Sequence, residues 1–196
     1  GGLVAFPTET VYGLGADAMQ ASAAKKIYEA KGRPSDNPLI VHIAEVSDLR
    51  NLTDEVPGKA VKLAKAFWPG PLTMIVKKSA AVPYETTGGM DTVAVRMPNH
   101  PVALALIAAS GTYIAAPSAN TSGRPSPTTA EHVMTDLNEK IPLILDGGSV
   151  GIGIESTIID LTEETPMILR PGYITQEMLE EVIGEVHVDP GLIASD

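Results

Sequence analysis

Short apolar runs that alternate with amphipathic helical segments set the fold class of this 196-residue chain. Each run is three to five residues long, as expected for strands that are covered on both faces. The runs cover residues 3–6, 39–43, 72–76, 92–96, 113–116, 143–145, 157–161 and 167–169. Strands that alternate with helices predict an α/β domain built around a mixed, largely buried sheet.

Three helix-like segments lie in the first 110 residues. Residues 19–31 carry one apolar stripe, and Gly32 follows as a C-terminal stop. Residues 57–67 carry a second stripe, with Pro57 in the first helical turn. The run 100–110 is apolar on all sides, which predicts a helix buried all round.

Two further helices are predicted from their capping residues. Thr128 and Glu131 have the spacing of a capping box, and an apolar stripe follows them. Thr175 is a second N-cap candidate, and Gly184 then ends the last helix.

Residues 1–188 contain no internal repeat and no linker, and we predict that they form one domain. The remaining segment, 189–196, is interpreted as the start of a tail or interdomain linker. The chain opens on Gly1 and Gly2 and passes directly into the first strand, so we expect that the natural N-terminus lies further upstream.

The charge distribution leaves room for an anion-binding cleft in an acidic protein. The net charge is −10, but residues 1–145 carry 13 acidic and 13 basic side chains. Residues 146–196 carry the other 11 acidic side chains and only one basic residue, Arg170. Because the imbalance lies in the last quarter of the chain, a local basic cleft elsewhere remains compatible with the sequence.

The composition excludes several classes of site and location. The chain has no cysteine, so disulfides, zinc–thiolate sites and cysteine nucleophiles are ruled out. The four histidines do not have metal-binding spacing, and we predict no metal site built from protein ligands. No apolar run reaches the ~18 residues that a membrane helix needs. We therefore expect a cytoplasmic protein without a membrane segment.

The stretch FPTETVYGLGAD, residues 6–17, follows the first predicted strand. Thr10 is one of three hydroxyl side chains at alternating positions, and Gly13 and Gly15 would allow close approach to a ligand. The two glycines match neither a dinucleotide fingerprint nor a P-loop. An ordinary turn after a strand therefore remains an alternative to a binding loop.

The stretch KGRPSDNPLIVH, residues 31–42, places Lys31, Arg33, Asn37 and His42 near the start of a strand. Its two prolines stiffen the loop, which lowers the entropy lost when side chains clamp a ligand. An arginine fork suits a phosphate or carboxylate. The alternatives are a solvated basic turn and, for His42, a hydrogen-bonded core histidine.

Arg96 ends the apolar strand 92–96, where a buried guanidinium needs an anionic partner. That partner is either an internal acid, which gives a salt bridge, or the carboxylate of a small ligand. The sequence alone leaves both interpretations open.

Two polar loops complete the candidate features. Loop 116–129 offers Ser118 and Ser126 ahead of a predicted helix, where hydroxyls and amides are natural phosphate ligands. Residues 147–151 match the GxSxG pattern of serine hydrolases, but a strand follows instead of the required helix. We therefore reject a hydrolase and interpret this segment as a glycine loop that ends on Ser156.

Taken in order along the chain, these motifs resemble the YrdC family. They read PTETVYGLGAD, KGRPSDNPLIVH, WPGPLT, VAVRMP, PSANTSGRPSPT, ESTIIDL and ILRPG. The resemblance covers essentially all of residues 1–188 and implies a twisted mixed sheet, flanked by helices, around a deep ligand cleft. It implies an L-threonylcarbamoyladenylate synthase, a nucleotidyltransferase that makes threonylcarbamoyl-AMP and pyrophosphate from L-threonine, bicarbonate or CO2, and ATP. Its product would serve the t6A modification of tRNA.

The resemblance also implies roles for individual residues. The implied L-threonine pocket consists of Thr10, His42, Arg96, the backbone of Ala116, and Ser156. The implied ATP contacts are Arg33, Asn37, Thr92, Ser118, Ser126 and Arg170. Lys31 and Arg33 are the implied catalytic residues, which neutralise phosphate charge with Mg2+ bound to ATP. The implied partners are downstream tRNA threonylcarbamoyl-transfer proteins, without stable direct binding of tRNA.

The chain departs from the family at its ends. The helix that usually precedes the first strand is absent, and the tail resembles the linker to a second domain in the family's long form. Two alternative functions stay open, an RNA-binding module with a basic cleft and the carbamoyl-AMP-forming domain of a hydrogenase-maturation protein. Aromatic residues make up only 4% of the chain, which disfavours base stacking. The cysteine-rich zinc modules of hydrogenase-maturation proteins are not visible in the sequence.

Overall fold

A nine-stranded mixed sheet forms the centre of the computed structural model, which describes residues 1–193. The strands are β1 (Val4–Pro7), β2 (Tyr12–Asp17), β3 (Ile40–His42), β4 (Leu72–Lys77), β5 (Thr92–Arg96), β6 (Ile114–Ala115), β7 (Thr157–Asp160), β8 (Met167–Arg170) and β9 (His187–Val188). Their spatial order is β1-β2-β6-β3-β5-β4-β7-β8-β9. The pairs β3–β5, β4–β7 and β8–β9 are parallel, and the other neighbours are antiparallel. The predicted mixed α/β sheet is confirmed.

Helices flank this sheet and bury their apolar faces on it. They are α1 (Ala21–Lys31), α2 (Gly58–Phe67), α3 (Pro101–Ser110), α4 (Ala130–Leu137), α5 (Gln176–Ile183) and the short α6 (Pro190–Ile193), with a 3-10 helix at Val46–Asn51. Helices α1, α2, α4 and α5 contribute to the main core, and α2 also packs against α5. None of the helices in residues 1–193 has the length and apolar character needed to cross a bilayer.

Two predicted helix ends are confirmed by their cap geometry. Gly32 follows α1 in the left-handed conformation, at φ 64°, where a side chain would be strained. The Thr175 hydroxyl accepts a hydrogen bond from the Met178 amide at 3.2 Å, and Gly184 ends α5.

Two other helix starts differ by one residue from the prediction. The N-cap of α4 is Thr129, whose hydroxyl accepts from the His132 amide at 3.2 Å. Thr128 instead contacts the ring of His132, with Oγ1 3.3 Å from Nδ1. Pro57 is the N-cap of α2 and therefore precedes the first turn. Thr129 and Pro57 both take the extended backbone conformation that a cap requires.

The prediction that residues 100–110 form a helix buried all round is wrong in its burial. Only Ala103 and Ile107 of α3 are buried, and the remaining residues are half-buried or exposed. These two side chains share a small core with Phe6, Ile114 and Ala116. Because α3 covers β1 at the edge of the sheet, the structure buries only one side of this apolar helix.

The predicted strand 143–145 is also wrong. Ile144 forms a single isolated bridge with Ala5, closed by two backbone hydrogen bonds of 3.0 and 2.8 Å. This segment lies beside the edge strand β1 without extending the sheet. The expected tail 189–196 contains the short helix α6 up to residue 193, and residues 194–196 lie outside the described residues. The boundary at residue 188 remains a prediction.

The sequence interpretation missed β2, because two glycines within six residues weaken a strand. The structure gives a reason for one of them. A Cβ atom on Gly15 would lie 2.7 Å from Ile114 Cγ2 and 2.8 Å from Phe6 Cε1. The glycine therefore permits β2 to pack closely between its neighbours β1 and β6.

Candidate functional site

One cleft collects polar side chains from the ends of several strands and from loop 31–38. Strands β3 and β5 run parallel, and their register pairs His42 with Arg96. Both side chains therefore lie at the same end of the sheet, where the segments before β2 and β7 also arrive. The cleft, counted with its open mouth, encloses about 790 Å³ of space free of protein atoms.

Most of the residues singled out from the sequence line this cleft. They are Thr10, Arg33, Asn37, His42, Arg96, Ala116, Ser118, Ser156 and Arg170. Ile75, Ala94 and Ile158 add an apolar wall. Residues that are far apart in the chain thus form a single concave surface with cationic and apolar parts.

Arg96 is buried at the inner part of the cleft and is held by three groups. Its Nε donates to the Gly70 carbonyl at 3.2 Å, and Nη1 donates to Thr10 Oγ1 at 3.1 Å. Its Nη2 pairs with the carboxylate of Glu9. The internal salt bridge that the sequence left open is therefore present, and the guanidinium also faces the cleft.

His42 is a neutral hydrogen-bond acceptor in this cleft. Its Nδ1 lies 3.1 Å from the Ile40 carbonyl oxygen and 3.3 Å from that of Ile114. We assign the ring proton to Nδ1, because both neighbours are acceptors, and this leaves Nε2 with a free lone pair. Burial, with a further contribution from Arg96, lowers the pKa of His42 to about 3.

Two more arginines lie towards the outer part of the cleft. Arg33 Nη2 donates to the Pro38 carbonyl at 2.8 Å, so the proline-stiffened loop folds around its own guanidinium. Arg170 Nε donates to the Ser156 carbonyl at 2.9 Å, and its Nη1 lies 3.3 Å from Glu155 Oε2. Burial lowers the pKa values of both guanidinium groups below their ordinary value. Both residues nevertheless remain cationic at any physiological pH.

Lys31 is a fourth cation close to the cleft, although it does not line the cleft surface. It ends α1, is buried, and donates from Nζ to the Ser118 carbonyl. Burial, followed by repulsion from Arg33, lowers the pKa of Lys31 to about 8, while Glu155 and Asp136 oppose this shift. Its ammonium charge is therefore easier to lose than that of an exposed lysine.

Besides Lys31, two of the predicted site residues lie outside the cleft lining. Thr92 begins β5, and Arg96 ends the same strand, so the two residues are about 13 Å apart along it. Ser126 lines a second groove together with Arg124 and His132. Their assignment as ATP contacts remains a prediction.

The sequence interpretation missed the acidic partners of these cations. Glu9 lies between the two threonines of the PTET motif, and Glu155 directly precedes Ser156. Thr73 was also missed, and its hydroxyl lies 2.7 Å from the Ser156 hydroxyl. The need of buried Arg96 for an anion was a signal for an acid, but it did not indicate which one.

Gly172 follows the strand that carries Arg170 and packs closely against the backbone of Glu155 and Thr157. We therefore expect its substitution to destabilise the fold. A Cβ atom at this position would lie 2.6 Å from the Thr157 amide nitrogen and 2.9 Å from the Glu155 carbonyl oxygen. Gly172→Ala should lower the free energy of unfolding by about 1–3 kcal/mol, measured by urea denaturation. The control is Gly58→Ala. A Cβ atom on Gly58 would meet no atom of another described part of the chain within 4 Å, so this variant should be neutral or mildly stabilising. Equal stability of the two variants would contradict this account.

Comparison with known proteins identifies the family. The Sua5/YciO/YrdC family, described as "Telomere recombination", matches residues 1–172. The chain belongs to this family. The resemblance seen in the ordered motifs is therefore confirmed, and so is the YrdC-like fold.

Relatives within the Sua5/YciO/YrdC family extend over nearly the whole chain. A threonylcarbamoyl-AMP synthase of Bacillus subtilis is 61% identical over 97% of this chain and 55% of its own length. A threonylcarbamoyl-AMP synthase of Pyrococcus abyssi is 59% identical over 98% of this chain and 56% of its own length. The chain thus spans about half the length of these curated relatives.

A solved structure from the same family has a closely similar fold. Pyrococcus abyssi Sua5, crystallised in complex with L-threonine, superposes with a TM-score of 0.97 at 58% identity. The match covers 100% of this chain and 57% of that protein.

Proposed function

We propose that this chain makes threonylcarbamoyl-AMP and pyrophosphate from L-threonine, bicarbonate or CO2, and ATP. The observation that carries the proposal is one cleft that combines a buried arginine, Arg96, and a neutral histidine, His42, with two more arginines, Arg33 and Arg170. The relatives at 61% and 59% identity are named threonylcarbamoyl-AMP synthases, and a close structural relative was crystallised with L-threonine. These names favour the synthase over an RNA-binding module or a carbamoyl-AMP-forming domain.

The inner half of the cleft is the proposed L-threonine pocket. Arg96 would pair with the α-carboxylate, because its fork geometry matches two carboxylate oxygens. His42 would accept a hydrogen bond from the ligand through Nε2, since its Nδ1 proton faces two carbonyl groups. Thr10, Ser156 and the backbone of Ala116 complete the polar lining that we assign to this pocket.

The outer half is the proposed ATP site. Lys31, Arg33 and Arg170 would neutralise the triphosphate, which carries the largest charge of any substrate in the reaction. Asn37 and Ser118 line the same part of the cleft and would donate hydrogen bonds. Thr92 and Ser126 are proposed as further ATP contacts, on the basis of the family resemblance.

The proposed chemistry needs no protein nucleophile. The neutral amine of threonine adds to CO2 and forms a carbamate, with loss of one proton. A carbamate oxygen then attacks the α-phosphorus of ATP, the bond to the bridging oxygen breaks, and pyrophosphate leaves. The protein holds the two substrates in line and stabilises the charge on the phosphates.

ATP is proposed to enter as its magnesium complex. Within residues 1–193, no three His, Asp or Glu side chains cluster in a way that could hold a metal ion. A Mg2+ ion that enters with ATP would need few protein ligands, because Mg2+ often keeps several waters. When bound, the ion would offset negative charge on the phosphates of ATP.

We propose that cytoplasmic tRNA threonylcarbamoyl-transfer proteins consume the product of this reaction.

The pH dependence of ATP binding tests the role of Lys31. Its pKa is lowered to about 8, so the ammonium form prevails below pH 8 and disappears above it. We expect the Kd for ATP to rise as the pH increases through 8, measured by calorimetry between pH 6.5 and 9.5. In Lys31→Met, the affinity should be weaker and lack this step. A wild-type Kd that is flat over this range would contradict the assignment.

Pyrophosphate release tests the proposed function as a whole. The protein is incubated with Mg·ATP, with and without L-threonine and bicarbonate, and pyrophosphate is measured enzymatically. We expect release only when all three substrates are present. Release that does not depend on threonine would overturn the proposal.

A further inference from the structure

The buried ion pair between Glu9 and Arg96 contains an acidic residue that has no role in the proposed reaction. The side chain of Glu9 is 14% exposed and that of Arg96 is 4% exposed. A carboxylate next to a ligand-binding arginine can act in two ways. It either competes with the ligand for the guanidinium or holds the guanidinium in the orientation that the ligand needs.

The contacts of Glu9 favour the second role, because they fix the residue at three points. One carboxylate oxygen accepts from Arg96 Nη2, and the other accepts from the Asn99 amide at 2.8 Å. The Glu9 backbone carbonyl accepts from the Ile152 amide at 3.0 Å. A carboxylate that is anchored by a second segment of the chain is poorly placed to move away when a ligand arrives.

Arg96 has N–H groups that no acceptor in residues 1–193 uses and that can bind a ligand beside Glu9. A guanidinium has five N–H groups. Three of them are used by Gly70, Thr10 and Glu9, one on each nitrogen atom. One N–H group therefore remains on each terminal nitrogen, and these two groups match in number the two oxygens of one carboxylate.

The charge of the pair also favours a supporting role. Without Glu9, the buried Arg96 would be a bare cation in a cleft that already contains Arg170. The pKa of Arg96 is lowered by burial and raised by Glu9, while repulsion from Arg170 lowers it further. Glu9 thus stabilises the charged guanidinium in an orientation that three neighbours define.

We propose that Glu9 is a positioning residue that holds Arg96 so that its two free N–H groups receive the α-carboxylate of the amino-acid substrate. The inference rests on the proposed function, because it takes L-threonine as the ligand of Arg96. Glu9 therefore strengthens threonine binding through Arg96 and does not compete with the substrate.

The variant Glu9→Gln tests this role. A glutamine has one acceptor oxygen, and its NH2 group would face either the Asn99 amide or Arg96, both of which are donors. We expect the KM for threonine to rise by about tenfold or more, because the guanidinium loses its fixed orientation. The KM for ATP should stay unchanged, whereas a general structural defect would impair both substrates.

A double-mutant cycle tests whether Glu9 acts through Arg96. Threonine affinity is measured by calorimetry for Glu9→Gln, Arg96→Ala and the combined variant. Once Arg96 is absent, Glu9→Gln should cause little further loss, because the two changes remove one shared interaction. Additive losses would overturn the inference.

Other results would also overturn it. An unchanged or lower KM for threonine in Glu9→Gln would mean that Glu9 is neutral or competes with the substrate.

If Glu9→Gln shows no cooperative thermal transition and therefore does not fold, Glu9→Asp is used in its place. This variant keeps the charge with a shorter reach and should raise only the KM for threonine.

Two controls separate this inference from the proposed function. Glu185→Gln removes an exposed glutamate that pairs with His187 at 2.8 Å, and it should leave both KM values unchanged. Wild-type protein that shows neither threonine binding nor threonine-dependent pyrophosphate release would contradict the proposed function itself. A Glu9→Gln variant that behaves like an active wild type would contradict only the inference about Glu9.

Discussion

Arg96→Ala should remove most of the affinity for L-threonine, a loss of about 2–5 kcal/mol in binding free energy. Arg96 is almost fully buried and lies in register with His42 at the inner part of the cleft. Without the guanidinium, the substrate carboxylate would be desolvated with no cationic partner at this point. Calorimetric titration with threonine, in the absence of ATP, measures the loss directly.

The same substitution should also lower stability, because it leaves the Glu9 carboxylate in the cleft without Arg96. The titration is therefore made well below the thermal midpoint of the variant. Arg50→Ala is the control, because Arg50 is exposed on the 3-10 helix and should not affect threonine binding. Threonine affinity at the wild-type level in Arg96→Ala would contradict the pocket assignment.

Arg33→Ala should weaken ATP binding and leave threonine binding intact. The loop 33–38 holds this guanidinium at the outer part of the cleft, through the carbonyl groups of Asn37 and Pro38. Loss of a charge-assisted contact to phosphate is worth about 1.5–3 kcal/mol. The Kd for ATP and the Kd for threonine are both measured by calorimetry on the same preparation.

The control for this prediction is another cation that lies eight positions before Arg33 in the sequence. Lys25 is exposed on α1, so Lys25→Ala should change neither dissociation constant. If Lys25→Ala and Arg33→Ala weakened ATP equally, general electrostatic attraction would explain the result without a specific clamp. If Arg33→Ala instead weakened threonine, the division of the cleft into two halves would be contradicted.

The sequence predicted the α/β class and most strands, because short apolar runs and helix caps are local signals. The sequence-based prediction failed for elements whose structure depends on contacts with distant parts of the chain. Strand β2 contains Gly13 and Gly15, which indicate a loop when read alone, yet the strand is enclosed by β1 and β6. Helix α3 is apolar on all sides, but its place at the edge of the sheet buries only part of it. The run 143–145 has strand composition but forms only one bridge.

For the site, the motifs indicated the cleft residues, but local sequence did not indicate their partners. Glu9 and Arg96 are 87 positions apart, and nothing in the sequence pairs them. The position of the ring proton of His42 likewise depends on the carbonyl groups of Ile40 and Ile114, which only the folded sheet brings together. The electrostatic character of the cleft is therefore a property of the tertiary structure.

The identity of the reaction product tests the proposed reaction most directly. The protein is incubated with L-threonine, Mg·ATP and 13C-bicarbonate, and the mixture is analysed by mass spectrometry. We expect an adenylate that contains both threonine and one labelled carbonyl carbon, and pyrophosphate in equal amount. An adenylate that lacks either threonine or the labelled carbon would contradict the proposed reaction.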